Sequence, residues 1–421
     1  GPPEGAAEDY AGWRSHFGSL RVPAGLERVA QRAIDDLRAL LLFTEDGPVP
    51  AAGIPWYVAP FGRDALLSAA MLLPFVPQVA QATLRFLARH QATTVDPVTR
   101  AEPGKIMHEL RVGELTRLGL MPHRPYYGTV DATPLFVVLL DRYRRATGDL
   151  ELVRELRPNW EAALAWMVDS GDKDGDGFLK FTPDASEGGL SVQSWKDSAD
   201  SMSHADGSLA SGDLAVSEVQ GYAYDAFTAA VRFYRQLGEE AAARGWEERA
   251  VRLLVDVHAS FCLGALVTYA LALDGTKRPL RVRASDAGHL LWSGLVPEEH
   301  APRLVRSLLG PELWSGWGFR TLGSTERRYN PVSYHNGSVW PHDSALIALG
   351  LARYGFREEA AQVASALLDL ALTQGDLRLP ELVAGYGREG EGPAPVPPVP
   401  YPVACRPQAW DAAAVICLLN L

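Results

Sequence analysis

Residues 191–200 read SVQSWKDSAD and set two carboxylates, Asp197 and Asp200, beside Trp195 and Lys196. A further acid, Glu381 in RLPEL (378–382), follows a helical run and precedes a stretch of Gly and Tyr. Two carboxylates in an aromatic, partly desolvated setting can divide acid and base work. Burial raises the pKa of one until it keeps its proton, and the other stays ionised. Cleavage of a glycosidic bond needs such a pair, one to protonate the departing oxygen and one to activate water or attack the sugar. Taken singly, Asp197 reads as a turn residue and Glu381 as a solvated surface glutamate. The residues alone do not choose between Asp197 and Asp200. Other chemistries lack their motifs: there is no GxxxxGK[ST], no HExxH and no GxSxG.

The elements that must position these acids are helical almost throughout. Apolar residues recur every three or four positions over 25–43, 63–74, 76–90, 106–119, 133–146, 149–169, 217–237, 240–261, 299–309, 341–354, 357–373 and 407–420. Thr133 reads as an N-cap with Pro134 at the first helical position, and Pro158 is placed to kink or split its run. Strand-like runs are confined to 53–58 and 265–272. SVQSWKDSAD itself lies in a region without apolar period, 183–217. So long a stretch within a compact domain is functional or disordered.

The connections alternate between two kinds. Plain ones such as TGDLEL (147–152), LGEEAAARG (237–245) and GFREEA (355–360) suit turns between antiparallel helices. The others are long and rich in aromatic and acidic residues. They are 53–64, 121–132, 183–217, 285–294 with 313–321, 327–343 and 378–388. Helical hairpins put alternate connections at opposite ends, so the decorated loops gather on one face. About six hairpins of this kind predict an all-α (α/α)6 barrel, with one end a cleft lined by Trp, Tyr, His, Asp and Glu. Such a lining stacks on sugar faces and forks hydrogen bonds to hydroxyls.

Of the 421 residues, 47% are hydrophobic and 22% charged, as in ordinary globular proteins. A net charge of −11 and the lack of any Lys/Arg run argue against nucleic acid and anionic membrane as partners. No apolar stretch of membrane-spanning length and no signal-peptide pattern is present. Cys262, Cys405 and Cys417 are too few and scattered for a disulfide framework or a zinc site, which fits a reducing cytoplasm.

Several motifs together resemble bacterial amylo-α-1,6-glucosidases, the glucosidase domain of glycogen-debranching-type enzymes. They are AGIPWYVAPFGRDALLSA (52–69), EPGKIMHELR (102–111), PHRPYYGTVDATPLF (122–136), QSWKDSAD (193–200), EVQGYAYDA (218–226), NPVSYHNGSVWPHD (330–343), RLPEL (378–382) and YPVACRPQAW (401–410). The resemblance runs in order from about residue 25 to 420. It implies an (α/α)6 catalytic domain over 25–421 that hydrolyses an α-glucosidic bond with inversion and without a cofactor or metal. The substrate would be an α-glucan, or a small α-glucoside such as a disaccharide or a glucosylglycerate-like solute. A catalytically silent glycan-binding protein is the rival from another class.

Carried over residue by residue, the resemblance makes Asp197 the general acid and Glu381 the general base. It places Trp56, Phe61, Arg63 and Asp64 around the terminal sugar, with Trp56 and the Arg63–Asp64 pair closing the far end of the pocket. Tyr127, Asp131, Trp195, Lys196, Gln220, His335, Trp340 and His342 fall on further pocket positions, and Asp200 becomes a neighbour that orients sugar or loop. The family's usual β-rich N-terminal domain is an implied partner absent from this chain. Residues 1–24 read as a lead or linker.

Two stretches stand apart. GREGEGPAPVPPVPYP (387–402) reads as a mobile flap or a disordered insert near the cleft mouth. GDKDGDGF (171–178) places Asp172, Asp174 and Asp176 at calcium-loop positions with Gly177 following. Pro183 stands where the bidentate acid belongs, so a turn knitted by Asp side chains is expected.

Overall fold

A computed structural model describes residues 6–119, 124–184, 189–389 and 396–421. The chain starts with α1 (Ala6–Ser15) and α2 (Glu27–Leu40), then a hairpin of β1 (Leu41–Thr44) and β2 (Gly47–Pro50), with Leu41 opposite Pro50. There follow α3 (Gly62–Leu72), α4 (Pro77–Arg89), the single turn α5 (Glu114–Arg117), α6 (Ala132–Thr147), α7 (Glu151–Glu155) and α8 (Arg157–Val168). After β3 (Ala215–Val216) come α9 (Ser217–Gln236) and α10 (Glu240–Phe261). The short strands β4 (Cys262–Leu263), β5 (Thr268–Tyr269) and β6 (Ala272–Leu273) lead to α11 (Asp286–Ser293) and α12 (Ala301–Leu308). The chain ends with α13 (Pro341–Arg353), α14 (Arg357–Thr373) and α15 (Ala409–Leu419).

Six helices pack in a closed cycle: α3 on α6, α6 on α9, α9 on α11, α11 on α13, α13 on α15, and α15 back on α3. The other long helices flank this ring. α4 lies against α3 and α6, α8 against α6 and α9, α10 against α9, α12 against α11, α14 against α13 and α15, and α2 against α15 and α14. Composition separates the two sets. All of α11 is buried, as is α13 from Pro341 to Ala348. By contrast α10 buries one stripe, Ala243, Ala250, Leu253, Val257 and Phe261. A helix apolar on every face belongs inside, and one with a single apolar stripe belongs at the rim. Glycines set the closest crossings within the ring. A Cβ on Gly221 of α9 would meet Ser293 Oγ at 2.5 Å, and one on Gly350 of α13 would meet Trp292 N at 2.6 Å.

Several local expectations need correction. Residues 285–294, taken as a loop, form α11; the segment has no polar face because it is enclosed, so no amphipathic period marks it. The helix predicted over 106–119 survives only as α5. Residue Glu109 instead bridges Phe61 and Tyr126 in extended form, because the ring needs a wall there. Thr133 is not the cap of α6: Asp131 precedes the first turn, and Thr133 Oγ1 accepts from Ile106 N at 3.0 Å. The run 149–169 splits into α7 and α8 just before Pro158. Of 53–58 only isolated bridges of Gly53 remain, and 265–272 becomes β5 and the start of β6. Within the expected lead, α1 packs on α2, and Trp13 and Phe17 join the core. Among the described residues no helix is long and apolar enough to cross a membrane.

Candidate active site

Each helix of the ring starts beside a buried acid: Asp64 in α3, Asp131 just before α6, Glu218 in α9, Asp286 in α11, Asp343 in α13 and Asp411 in α15. Unpaired amide N–H groups and the positive end of the helix dipole favour a carboxylate at such a position. The decorated loops lead into these ends, so their side chains converge there.

A cavity of about 250 Å³ opens at this face, with Asp197 and Glu381 in its wall. Asp197 Oδ2 lies 3.5 Å from Arg63 Nη2. Its side chain is 29% open, toward the cavity. Enclosure on the other sides raises its pKa to about 6, against the pull of Arg63. Arg63 also binds Asp131 Oδ2 through Nη1 at 2.9 Å and stands 3.8 Å from Asp64 Oδ1. Asp131 is held in turn by Thr129 Oγ1 at 2.6 Å. Asp64, enclosed and without a hydrogen bond on Oδ1, is pushed up to about 7 by burial, with Arg63 opposing.

Glu381 sits on the opposite chain segment. Tyr334 Oη donates to its Oε1, and the Cys405 amide donates to its Oε2 at 2.7 Å. Burial raises the Glu381 pKa, while these two donors favour the carboxylate. The charge of Asp197 reaches it as a raising influence, as expected for two acids on one cavity.

Aromatic rings build the rest. The Trp195 ring stands edge-on to His335, Trp340 and His342 at 5.1–5.7 Å between centroids, and stacks on His289 at 6.1 Å. His335 and Trp340 stack at 5.1 Å. The Ser198 amide donates to His335 Nδ1 at 3.3 Å. An amide can only donate, so the proton of the neutral ring is on Nε2. Burial and the charges of Lys196 and Arg63 hold the His335 pKa well below its ordinary value, so the ring is neutral.

Of the residues expected here, Phe61, Arg63, Asp64, Trp195, His335 and Trp340 line the cavity with Asp197 and Glu381. Others stand behind it. Asp131 holds Arg63. Lys196 is wholly buried, bound to Asp286 and to Thr321 O at 2.6 Å. His342 stacks on Trp410 at 3.6 Å. Gln220 clasps the backbone of Leu179 through both amide atoms, and Tyr127 Oη donates to His90 O at 2.6 Å. Asp200 points away, half-exposed, with Oδ2 3.9 Å from Arg328. Trp56 does not close the far end: its indole is 55% exposed and donates to Val403 O at 2.9 Å.

Sequence reasoning missed Tyr57, His108, Glu109, Arg111, Tyr334, Gln408 and Trp410, all in the cavity wall. Tyr334 adjoins His335, and Gln408 and Trp410 end YPVACRPQAW, so their motifs were visible though their roles were not. The flap expected over 387–402 lies partly outside the described residues. At the 171–178 turn, Lys180 Nζ bonds Asp172, Asp174 and Asp176, and Lys277 Nζ bonds Asp174 and Asp176. Ammonium groups already supply the counter-charge that this turn calls for.

Comparisons with known proteins follow the same line. Comparison with curated proteins finds no match. Among solved structures, the GH63 mannosylglycerate hydrolase from Thermus thermophilus in complex with Tris and D-glycerate is similar. It has a TM-score of 0.66 and 14% identity, over 92% of this chain and 99% of that one. The glucose complex gives a TM-score of 0.66 and 16% identity over 93% and 99%. An uncharacterized conserved protein from the same organism gives 0.66 and 15% over 92% and 99%. These likenesses speak for the fold. The family model for the mannosylglycerate hydrolase MGH1-like glycoside hydrolase domain matches residues 61–391, well over half the chain. That match supports glycoside hydrolysis and does not single out debranching. The chain belongs to the MGH1-like glycoside hydrolase family.

Proposed function

We propose that the protein is an inverting glycosidase that removes one terminal sugar from a small glycoside, with Asp197 as general acid and Glu381 as general base. One observation carries this reading: both carboxyls face one cavity, and their surroundings set them apart. Asp197, with a pKa near 6 and an open side, keeps a proton to deliver. Glu381, whose pKa burial raises, has a donor on each oxygen that favours and orients the carboxylate, the form that can deprotonate water. Inversion calls for carboxyls about 6.5–9.5 Å apart with water between them. The closed cycle of helices supports an (α/α)6 barrel spanning residues 25–421. Three free thiols fit a cytoplasmic setting.

The cavity size favours a small substrate. About 250 Å³ lies below the roughly 300–1,000 Å³ of pockets that hold drug-sized ligands, which suits one sugar ring rather than a glucan chain. A glycoside of glycerate, such as the mannosylglycerate for which the similar Thermus hydrolase is named, or another small α-glucoside fits this scale. Removal of an α-1,6-linked glucosyl stub from a branched glucan is the second reading, favoured by the QSWKDSAD and RLPEL motifs. Proton NMR of the first-formed anomer, over glucosylglycerate, mannosylglycerate, panose and a limit dextrin, tests both. A β-anomer from an α-glycoside supports inversion, and the substrate turned over fastest decides the class. No turnover of any member, with binding retained, would support a silent glycan-binding protein instead.

A further inference from the structure

We propose that the chain carries a second binding site, for a small oxyanion (phosphate or a short carboxylate), in the pocket around Lys105 behind the catalytic loop. This pocket has a volume of about 200 Å³, and Arg100, Lys105, Trp166, Lys173, Lys180 and Gln193 are among its walls. Lys105 is 6% exposed. Its Nζ lies 5.4 Å from the centre of the Trp166 ring. Among the described residues its one hydrogen bond runs to Arg100 O at 3.5 Å, the outer limit for such a bond. An ammonium group offers three donors, and a buried charge without a counter-charge is costly.

The other charged groups at this pocket, Asp96 and Glu102 among them, are engaged with partners other than Lys105. Arg100 Nε bonds Asp184 at 2.6 Å, and Lys180 bonds Asp176 at 2.5 Å. Lys173 lies 3.3 Å from Glu102 Oε1, and Glu102 Oε2 accepts from Trp166 Nε1 at 2.7 Å. Asp96 accepts from Val98 N and Thr99 Oγ1, both at 2.9 Å. Among the described residues, Lys105 therefore faces the cavity as a cation with no anion bonded to it. Burial lowers its pKa to about 8; Glu102 opposes this, and Lys173 and Arg100 reinforce it. An oxyanion seated against Nζ would supply the missing acceptors and favour the protonated form.

Size and place narrow the ligand. At about 200 Å³ the pocket has room for phosphate or a three-carbon acid. Val130 and Gln193 share this wall, joined by Val130 N to Gln193 O at 2.8 Å. Asp131, next in the chain, grips Arg63, and Trp195 lies just beyond Gln193. The pocket is thus back to back with the catalytic cavity.

Titration calorimetry near pH 8 with inorganic phosphate, and separately with lactate, tests the site. Buffers of different ionisation heat count the protons taken up. The expected result is saturable binding of at least one ion with proton uptake, weakened at least about tenfold in Lys105→Met and retained in Asp197→Asn. Replacing a buried charge by an apolar chain of similar volume is often neutral or stabilising, so Lys105→Met is expected to fold, and its melting curve checks this. Which ion binds decides between phosphate and carboxylate. Three outcomes overturn the proposal: no saturable binding of either ion, equal binding by folded Lys105→Met, or binding clearly tightened in Asp197→Asn, where loss of the carboxylate frees Arg63 and would put the anion in the catalytic cavity.

Discussion

Tyr334 and Glu381 form a buried donor–acceptor pair: the phenol donates to Oε1 while the Cys405 amide holds Oε2. Both carboxylate oxygens are thus oriented before any substrate arrives. Tyr334 is itself pushed far above its ordinary pKa, by burial first and then by the Glu381 charge, so it stays a donor at every working pH. Tyr334→Phe removes a hydrogen bond to a charged group, worth about 1.5–3 kcal/mol, and is expected to lower kcat roughly 10- to 100-fold. Losing a donor to the ionised form raises the Glu381 pKa, so the acid limb of the kcat/KM profile moves to higher pH. An unchanged limb would remove Tyr334 from the mechanism.

The two acids are separable by leaving group. Asp197→Asn is expected to lower turnover of an ordinary glycoside by about 10²–10⁴-fold, the usual contribution of a general acid. Turnover of a glycosyl fluoride, which needs less protonation, should fall less. Glu381→Gln is expected to impair both substrates alike. In the parent protein, activity falls as pH rises through about 6, when Asp197 loses its proton. That limb should be absent from the fluoride profile.

Arg63 meets three acids, Asp131 behind the wall and Asp64 and Asp197 within it. Arg63→Gln leaves Asp131 buried without its counter-charge, a loss of about 3–5 kcal/mol for a broken buried pair. Denaturant melts measure it. Because Arg63 lowers the Asp197 pKa, any residual activity should show its alkaline limb displaced above 6.

Asp64 links stability to pH. Its folded-state pKa of about 7 stands above the ordinary 3.8. Between those values the folded chain holds more protons than the unfolded chain, so stability falls as pH rises, and the loss is complete above about 7. Asp64→Asn should flatten thermal stability across this window. A slope identical to that of the parent would assign the effect to other groups.

At the 171–178 turn, Lys180 and Lys277 already offset two of the three aspartate charges and contact all three side chains. EDTA is therefore expected to leave the melting temperature unchanged, and added calcium to raise it little. A chelator-induced drop of several degrees would reinstate a calcium loop.

The sequence was most readable where burial is one-sided. α10, with one apolar stripe, showed its period, whereas α11, enclosed on every face, did not and passed for a loop. The acids were readable by motif more than by environment. Asp197 and Asp200 were equivalent on composition; what separates them is that Arg63 reaches one and Arg328 the other. Trp56 matched a pocket motif, yet its loop turns the indole outward to Val403. Glu109 was hidden in a helical pattern that bridging to Phe61 and Tyr126 overrides. The acids that start the ring helices were in plain view as FGRD, VDAT, SEVQ, SDAG, PHDS and AWDA, but only the closed cycle shows that they share one face.

The last ring helix, α15, docks against α3, and Gln408 and Trp410 at its start complete the cavity wall. Cys405, just upstream, supplies the amide that fixes Glu381. On the proposed assignment, a nascent chain therefore carries its proton donor, Asp197, well before the wall around it is complete. Until residues 405–419 emerge, the circle stays open, and the cavity lacks two of its wall residues and the amide that holds Glu381.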